Sequence, residues 1–358
     1  MQRAHSGAHG IDLAPKGTAM TADVDTKHPV QIMDGILQLK VPIPNNPLGW
    51  VLPYLIEGRD GWTLVDSGWN VPEAADALEQ QLNDAGVGYG KLKTLLVTHI
   101  HPDHYGLAGK VKERSGAKVI IHQRERDMIR SRYKDPEQLL QQMGDWLAMH
   151  GVPRGNVSDL QNSAMSVRGY VDVAMPDEVV SGGERLDIGR FQFEVWWTPG
   201  HSPGHICFLE RGQKFILTGD HVLPTITPNV SVHPQQQGNP LGDYIASLER
   251  LEGLDVDIVL PAHEYTFTDL RSRLKGIHEH HEERLGEMVA ALGGKPGTAY
   301  DVAKRIRWAI GDFDQFSFWM QRAALGETLA HLEYLVLEGR LERFMQDGVQ
   351  YYDAPAGT

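Results

Sequence analysis

The sequence is poor in cysteine, in long apolar runs and in positive charge. Its single cysteine, Cys207, excludes an internal disulfide, and its apolar neighbours predict a buried, unreactive thiol, which fits a cytoplasmic location. No apolar run approaches the roughly 20 residues that a membrane-spanning helix needs. The formal net charge of −13 argues against non-specific binding to nucleic acid or to an anionic membrane.

The first thirty residues also lack the apolar segment of a signal peptide. They are rich in Gly, His, Ala, Thr and Asp, so we expect residues 1–30 to form a flexible arm. The whole chain has 358 residues, of which 41% are hydrophobic and 23% are charged. This composition is typical of a globular protein with a sizeable core.

From residue 31 onward, short apolar runs alternate with helical patterns, which predicts a mixed α and β fold. The predicted strands of the first half are 35–41, 50–57, 62–66, 92–98 and 118–122. The predicted helices there are 73–85 and 104–115. Gly58 to Gly61 predict a hairpin turn between the second and third of these strands.

The loop after the strand 92–98 carries four potential metal ligands within six positions. These are His99, His101, Asp103 and His104. Neutral imidazole is the commonest protein ligand for zinc-like ions, and a carboxylate suits a site that must stay open. Pro102 restricts the backbone of this loop. The loop therefore predicts a metal site, although four local ligands do not complete one.

Other strands also end in polar groups. Asp66 follows one strand, Asp220 follows the predicted strand 214–218, and His263 follows the strand 258–260. A turn rich in glycine and proline, residues 198–205, presents His201 after the predicted strands of 184–198. Functional groups at strand ends are typical of a site built on one rim of a sheet.

Residues 123–181 interrupt this rhythm and predict a helical insertion, with helices over 124–132 and 137–150. The second helix carries leucine and methionine on one face, with Trp146 beside them. Two interpretations are open. The helices pack as an ordinary core, or they cover the metal loop with an apolar wall that suits an acyl or aromatic substrate.

The order and spacing of five motifs resemble the metallo-β-lactamase superfamily. The motifs are Leu-Val-Asp-Ser-Gly at 64–68, Thr-His-Ile-His-Pro-Asp-His at 98–104, Thr-Pro-Gly-His-Ser-Pro-Gly-His at 198–205, Thr-Gly-Asp-His at 218–221 and Pro-Ala-His-Glu at 261–264. The resemblance implies an α+β fold, the αββα sandwich, over about residues 31–270. It also implies a binuclear metal site at one rim.

The same resemblance implies the role of each ligand. Metal one is held by His99, His101 and His201, and metal two by Asp103, His104 and His263. Asp220 bridges the two ions, and Asp66 supports the site from behind. An all-nitrogen and oxygen ligand set admits zinc first, and also manganese or iron. An Asp at the bridging position resembles the hydrolase and nuclease branches of the superfamily.

A hydroxide held between two cations is a nucleophile at neutral pH, and the second cation polarises a carbonyl or phosphoryl oxygen. Asp103 and Asp220 are therefore predicted to be catalytic as well as ligands. His205 and His221 stand next to ligands in the sequence. Each is a candidate proton donor, and each is equally a candidate structural residue.

The last quarter of the chain, residues 271–358, resembles a small winged-helix domain. It contains predicted helices over 270–292, from 298, and over 326–337, followed by a hairpin of 340–344 and 349–352. We expect His278, His280 and His281 to lie on a solvated face of the first helix. From residue 270 the chain has 11 basic and 13 acidic residues, and three glutamates, Glu327, Glu333 and Glu338, lie in the last predicted helix or directly after it.

This charge disfavours nucleic acid and favours a pocket wall or a homodimer contact. The primary hypothesis is a metal-dependent hydrolase of a small ester, thioester or lactone. The alternative is a phosphodiesterase or endoribonuclease with the same binuclear site. A non-hydrolytic di-iron redox protein is a third hypothesis, but that branch needs a flavin-type partner domain, and none is visible in the sequence.

Overall fold

The computed structural model describes residues 28–309 and 311–355, without the side chains of residues 164 and 166. The predicted arm, residues 1–30, therefore lies almost entirely outside the described residues. Two β-sheets pack face to face, and helices cover the outer face of each sheet. This arrangement confirms the α+β class and the αββα sandwich.

The first sheet has seven strands in the order β1-β2-β5-β6-β7-β8-β9, and the second has five in the order β10-β11-β12-β13-β14. The strands are β1 Val30–Met33, β2 Ile36–Gln38, β3 Val41–Pro42, β4 Trp50–Val51, β5 Tyr54–Glu57, β6 Trp62–Val65, β7 Leu92–Leu96, β8 Lys118–His122, β9 Glu178–Val180, β10 Arg185–Ile188, β11 Phe191–Trp197, β12 Ile206–Glu210, β13 Phe215–Gly219, β14 Ile258–Pro261, β15 Glu342–Gln346 and β16 Val349–Asp353. The last two pair as a separate hairpin, as predicted.

Helices connect these strands and cover the sheets. They are α1 Pro72–Asp84, α2 Pro102–Tyr105, α3 Ala108–Ser115, α4 Gln123–Ile129, α5 Glu137–Met149, α6 Arg154–Ser166, α7 Pro240–Glu252, α8 Leu270–Leu292, α9 Ala299–Arg305 and α10 Phe318–Leu337. No helix in the described part of the chain has both the length and the apolar character needed to cross a bilayer.

The core has three layers because side chains alternate across each strand. In β12, Phe208 faces the first sheet, whereas Cys207 and Leu209 face the helices behind the second sheet. Cys207 is buried, and burial raises the pKa of its thiol to about 12, which agrees with the predicted unreactive thiol.

The insertion and the C-terminal region share one core with the second sheet. Leu160 of α6, Ile277 of α8 and Leu325 of α10 belong to the same buried cluster as Ile216 of β13. The C-terminal helices therefore pack against the second sheet. The winged-helix assignment itself stays a prediction.

The strand directions bring the predicted site together. β6, β7 and β8 are parallel to one another, and so are β13 and β14. β11 and β13 are both antiparallel to β12, so they run in the same direction. The carboxyl ends of these strands carry the predicted polar groups, which therefore meet at one rim of the sandwich.

Two predicted elements of the first half are wrong in extent. The predicted strand 35–41 is divided between β2 and β3, which pair with different partners. The predicted helix 104–115 is divided into α2 and α3 around Gly106. A Cβ at Gly106 would lie 2.5 Å from the carbonyl oxygens of Gly68 and Tyr170, so only glycine fits there, and the next N–H, that of Leu107, donates to the Gly68 carbonyl at 2.9 Å and not to the helix.

The last predicted helix is wrong at its start, and the insertion has an additional helix, α6. α10 begins at Phe318 after the cap residue Ser317, well before the predicted start at Gly326. Gly326 lies inside the helix because a Cβ there would be only 3.1 Å from the Val232 carbonyl oxygen. The earlier start brings Arg322 into the helix, which the prediction had left without a basic residue.

The expectation of a solvated face on α8 is wrong for His281. This side chain is buried, and its Nδ1 lies 3.0 Å from Nε2 of the buried His331 in α10. Burial lowers the pKa of His331 to about 4, so its ring is neutral near pH 7. The periodicity of one helix does not reveal that a second helix covers this face.

Candidate metal centre

Three histidine rings meet at one side of the rim. His99 and His101 belong to the loop after β7, and His201 belongs to the turn after β11. Nε2 of His99 lies 2.9 Å from Nδ1 of His101 and 3.2 Å from Nε2 of His201. Nδ1 of His101 and Nε2 of His201 lie 3.0 Å apart. These three nitrogens could hold one ion.

A second group of ligand atoms lies beside the first. Nε2 of His104 and Nε2 of His263 lie 3.3 Å and 3.2 Å from Oδ1 of Asp220. His263 Nε2 is also 3.4 Å from Oδ2 of Asp103. The other oxygen of Asp220, Oδ2, lies 3.5 Å from Nε2 of His201. Asp220 therefore faces both groups, one with each oxygen.

The far nitrogen is occupied in three of the rings, which fixes the nitrogen that faces the site. Backbone carbonyl and carboxylate oxygens only accept hydrogen bonds, so a ring that contacts one through Nδ1 carries a hydrogen there, and Nε2 is the nitrogen left to bind an ion. Such contacts are His104 with Asp66 at 2.8 Å, His263 with the Trp50 carbonyl at 2.7 Å and His201 with the Asn229 carbonyl at 2.8 Å.

Asp66 supports the site from behind, as the resemblance implied. Its Oδ1 accepts a hydrogen bond of 2.9 Å from the backbone N–H of Thr98, and its Oδ2 accepts one of 2.9 Å from the Thr98 hydroxyl. Asp66 has a φ of 62°, in the left-handed region that Asp and Asn tolerate better than most residues. This conformation turns the chain directly after β6, and the carboxylate lies within 2.8 Å of His104.

The donor atoms fit divalent ions. Among the described residues, the buried atoms His104 Nε2, His263 Nε2 and Asp220 Oδ1 have no hydrogen-bond partner. Buried polar atoms normally have one, so this cluster calls for a ligand. Nitrogens bound to a tetrahedral ion lie about 3.3 Å from one another, which is close to the separations observed here.

The two groups differ in their protonation. Burial lowers the pKa of His99 and of His101, and neighbouring rings lower it further, so both are neutral. Burial acts in the same direction on His263, but the carboxylates of Asp220 and Asp103 together outweigh it and raise the pKa of His263 to about 10. The pKa of His104 is likewise raised well above its usual value. An ion in the second group must therefore displace protons.

The contacts of His205 favour its structural alternative. The ring is completely buried, its Nδ1 lies 2.9 Å from the Thr198 hydroxyl oxygen, and its Nε2 accepts a 3.1 Å hydrogen bond from the backbone N–H of Asp220. Both nitrogens are thus occupied, and His205 positions Asp220.

His221 is also completely buried, and its ring lies edge-on to Tyr244 at a centroid distance of 4.9 Å. Neither of its nitrogens has a hydrogen-bond partner among the described residues. Burial, followed by the charges of His201 and Arg250, lowers the pKa of His221 to about 3. These contacts place His221 behind the rim and favour a structural role for it as well.

Sequence reasoning missed Glu125, which joins two parts of the site. Its buried carboxylate accepts hydrogen bonds from the backbone N–H of Ile100 at 2.9 Å, the hydroxyl of Ser202 at 2.9 Å and the backbone N–H of Gly204 at 2.7 Å. It thereby fixes the His99 loop against the His201 turn. In the sequence, Glu125 stands among Gln, Arg and Asp, where nothing distinguishes it from a solvated residue.

Comparisons with known proteins agree with this geometry. A family model described as "Metallo-beta-lactamase superfamily" matches residues 51–263, and one described as "Metallo-beta-lactamase-like, C-terminal domain" matches residues 285–355. The chain is 27% identical over 334 residues to "Probable metallo-hydrolase YqjP" of Bacillus subtilis, an alignment that covers 89% of this chain and 98% of that protein.

Two solved structures resemble the chain over nearly its full length. The metallo-beta-lactamase family protein TTHA1429 from Thermus thermophilus is 32% identical, with a TM-score of 0.78, and the match covers 90% of this chain and all of that one. A beta-lactamase domain protein from Burkholderia ambifaria is 28% identical, with a TM-score of 0.73, over 91% and 94% of the two chains.

A fungal relative matches only part of the chain. "Lactamase-like protein adaB" of Aspergillus niger is 30% identical over 146 residues, which is 40% of this chain and 44% of that protein. The first family model, in contrast, covers more than half of the chain and includes all seven predicted ligands. This chain therefore belongs to the metallo-beta-lactamase superfamily and is a metallo-hydrolase.

Proposed function

We propose that the protein hydrolyses a small ester, thioester or lactone with two divalent ions, of which zinc is the first expectation. His99, His101 and His201 would hold one ion, and Asp103, His104 and His263 would hold the other, as the resemblance implies. The observation that carries the proposal is the position of Asp220. Its two oxygens face the two groups from between them, as a bridging ligand must.

Two bound ions supply a nucleophilic water at neutral pH and an electrophile for the scissile carbonyl. The chain itself supplies the orientation of every ligand. Thr98 and Asp66 orient His104, Glu125 holds the two histidine loops together, and His205 holds the backbone of Asp220.

Asp103 is the candidate that handles a proton. Its side chain remains 14% exposed at the rim. Burial raises the pKa of Asp103, but the charge of His104 and the contact with His263 outweigh burial and lower it. The carboxylate is therefore ionised near pH 7 and can accept a proton at the open edge of the site.

The surroundings of the site support an acyl substrate. A cavity is walled by apolar side chains of the insertion, among them Leu139, Leu140, Met143 and Met165. Arg132 also lines this cavity, and it lies close enough to His101 for its charge to contribute to the lowered pKa of that ring. Unbranched, flexible side chains such as Met suit an acyl chain of variable shape. This supports the interpretation of the insertion as a substrate wall and not only as core.

The test combines elemental analysis of the purified protein with a substrate panel. Thioesters, esters and lactones are compared with bis-p-nitrophenyl phosphate, each with and without a chelator. We expect about two transition-metal ions per chain and chelator-sensitive hydrolysis of acyl substrates. Hydrolysis of the phosphodiester alone would instead establish the phosphodiesterase alternative.

Asp220→Asn should abolish hydrolysis, by about 10³-fold or more, because the ions supply several kcal/mol of transition-state stabilisation. Asp255→Asn is the matched control, since Asp255 lies on the surface and pairs with Lys214. A fully active Asp220 variant would overturn the proposal. The cytoplasmic location, the homodimer and the domain boundaries near residues 30 and 270 remain predictions.

A further inference from the structure

A solvent-open cavity lies between the insertion, the loop 229–237 and α10. Its apolar side belongs to the insertion. Its polar side consists of Arg132, which follows α4, Arg322 of α10, and His233 and Gln235 of the loop. Residues from three distant parts of the chain therefore converge on one cavity.

Short hydrogen bonds connect this cavity to the metal centre. The hydroxyl of Tyr133, next to Arg132, donates to the carbonyl oxygen of Ile100 in the metal loop at 2.5 Å. The side chain of Gln236 donates to the carbonyl oxygen of Gly200, directly before His201, also at 2.5 Å. The segments next to Arg132 and Gln235 of the cavity are thus hydrogen-bonded to the loops that carry the ligands.

The two arginines lack acidic partners. In the described part of the chain, no carboxylate lies within 4.0 Å of the guanidinium of Arg132 or Arg322. Nε of Arg322 is buried and has no hydrogen-bond partner among the residues that the structure describes. Burial, followed by the charge of Arg132, lowers the pKa of Arg322 to about 10, so it is still cationic at pH 7.

The neighbouring histidine does not compensate for these charges. Burial, followed by the charges of Arg132 and Arg322, lowers the pKa of His233 to about 3, so its ring is neutral. Nδ1 of His233 accepts a 3.2 Å hydrogen bond from the backbone N–H of Gln235. Nε2 therefore carries the hydrogen and is a further donor.

Two partly buried guanidinium groups without a counter-charge destabilise a fold unless an anion binds between them. Guanidinium is also the side chain that best matches the planar oxygens of carboxylate and phosphate. The cavity thus combines an apolar wall, two cations and a neutral donor, which together fit an apolar chain with an anionic end.

We propose that Arg132 and Arg322 bind an anionic group, a carboxylate or a phosphate, carried by the acyl substrate of the neighbouring metal centre. The substrate is then an ester or thioester whose acyl chain lies along the insertion and carries the anion at its far end. The hydrolytic part of this inference rests on the function proposed above, whereas the anion site can be tested without hydrolysis.

The first experiment compares substrates that differ only in the charge. Mono-p-nitrophenyl esters of glutaric, adipic and suberic acid are measured against neutral p-nitrophenyl hexanoate and octanoate. We expect the wild-type protein to have a higher kcat/KM for the acids. Arg322→Gln and Arg132→Gln should each lower kcat/KM for the acids by about 10- to 100-fold and leave the neutral esters within about twofold.

Arg211→Gln is the matched control, because Arg211 is exposed and pairs with Glu194 at the other end of the second sheet. Arg322→Lys should restore part of the preference for acids, since it restores the charge without the planar geometry. An equal loss on acidic and neutral esters would overturn the proposal, and so would a wild-type preference for the neutral esters.

The second experiment measures binding alone, as the shift in melting temperature caused by octanoate, octyl phosphate and octanol. Both anions are offered so that the better one identifies the group. We expect an anion to stabilise the wild-type protein and not the Arg322→Gln variant, with octanol having no such selectivity. Equal shifts in both proteins would refute the anion site. Selective binding without hydrolysis of any ester would refute the proposed function and leave the anion site intact.

Discussion

The metal centre and the cavity lined by Arg132 and Arg322 differ in whether their charged groups have partners. At the metal centre, Asp66 accepts hydrogen bonds from Thr98 and contacts His104, and each far ring nitrogen named above has a partner. In the pocket, Arg132 and Arg322 have no acidic partner among the described residues. A supported polar cluster is built for a resident ion, whereas unpaired charges are typical of a site for a ligand that comes and goes.

The largest effect should come from removing a support of the metal centre. Asp66→Asn keeps the size and the tolerated left-handed φ but removes the charge that holds His104. We expect metal affinity to fall by about 10- to 100-fold, as outer-shell substitutions do. Competition with a chromogenic chelator measures this loss. Asp177→Asn is the control, because Asp177 lies on the surface, and this substitution should leave the metal affinity unchanged. Unchanged affinity in the Asp66 variant would show that the support is dispensable.

A pair of arginine substitutions sharpens the contrast between paired and unpaired charges. Arg284 donates to Glu287 at 2.6 Å and to the Arg307 carbonyl at 2.9 Å, and it lies over the Trp308 ring. Arg284→Gln should cost about 1–3 kcal/mol of stability because these bonds are lost. Arg322→Gln should leave the free energy of unfolding of the anion-free protein unchanged or raise it.

Urea unfolding of both arginine variants measures the difference in free energy of unfolding. A large destabilisation by Arg322→Gln would show that the guanidinium is structural, and the comparison between the two regions would fail. In that case the substrate experiments would need Arg132→Gln alone.

The pH dependence of metal binding tests the second ligand group. Without an ion, Asp220 and Asp103 together outweigh burial and raise the pKa of His263 to about 10, so this histidine is protonated at pH 7 and its ion pairs stabilise the fold below that pKa. An ion must displace the proton, so affinity should rise with pH, by about tenfold per pH unit for each proton displaced. Calorimetry in buffers of different ionisation enthalpy counts the protons released. A pH-independent affinity between pH 6 and 8 would contradict this protonation state.

The smallest effect concerns the contact that holds α10, the helix of Arg322, against the loop 229–237. The carbonyl of Gly326 in α10 accepts a 3.0 Å hydrogen bond from Val232, and a Cβ at Gly326 would meet Ser231 at 3.1 Å. Gly326→Ala should therefore destabilise by about 1 kcal/mol in spite of better helix propensity. Gly286→Ala in α8, where nothing lies within 4 Å, should stabilise by up to about 1 kcal/mol. Equal stabilisation of both variants would show that the loop moves freely.

The residues that meet at the rim could be predicted because each carries a local signal. His99, His101 and His104 are crowded into one loop, and Asp220 and His263 each follow an apolar strand directly. Such signals depend only on residues that are close together in the sequence, and a sequence pattern contains this information. The strand ends were predicted within a few residues for the same reason.

Glu125 and Arg322 show where this reasoning stops. Each is one charged residue on a helix with other polar residues nearby, and most such residues are solvated. Gly326 also misled the prediction, because a glycine inside a helical pattern resembles a boundary until the contact with Ser231 is known.

By itself, the sequence predicted the strands, the motifs whose resemblance to a superfamily implies the sandwich, and the polar residues that meet at one rim, because strand periodicity and motif spacing are local properties of the chain. Only the tertiary structure decided which isolated charges belong to the site. Glu125 accepts a hydrogen bond from Ser202, and Arg132 and Arg322 line one cavity, although the residues of each pair are far apart in the sequence. Such meetings depend on how helices pack on the second sheet, and packing partners leave no periodic mark in the sequence.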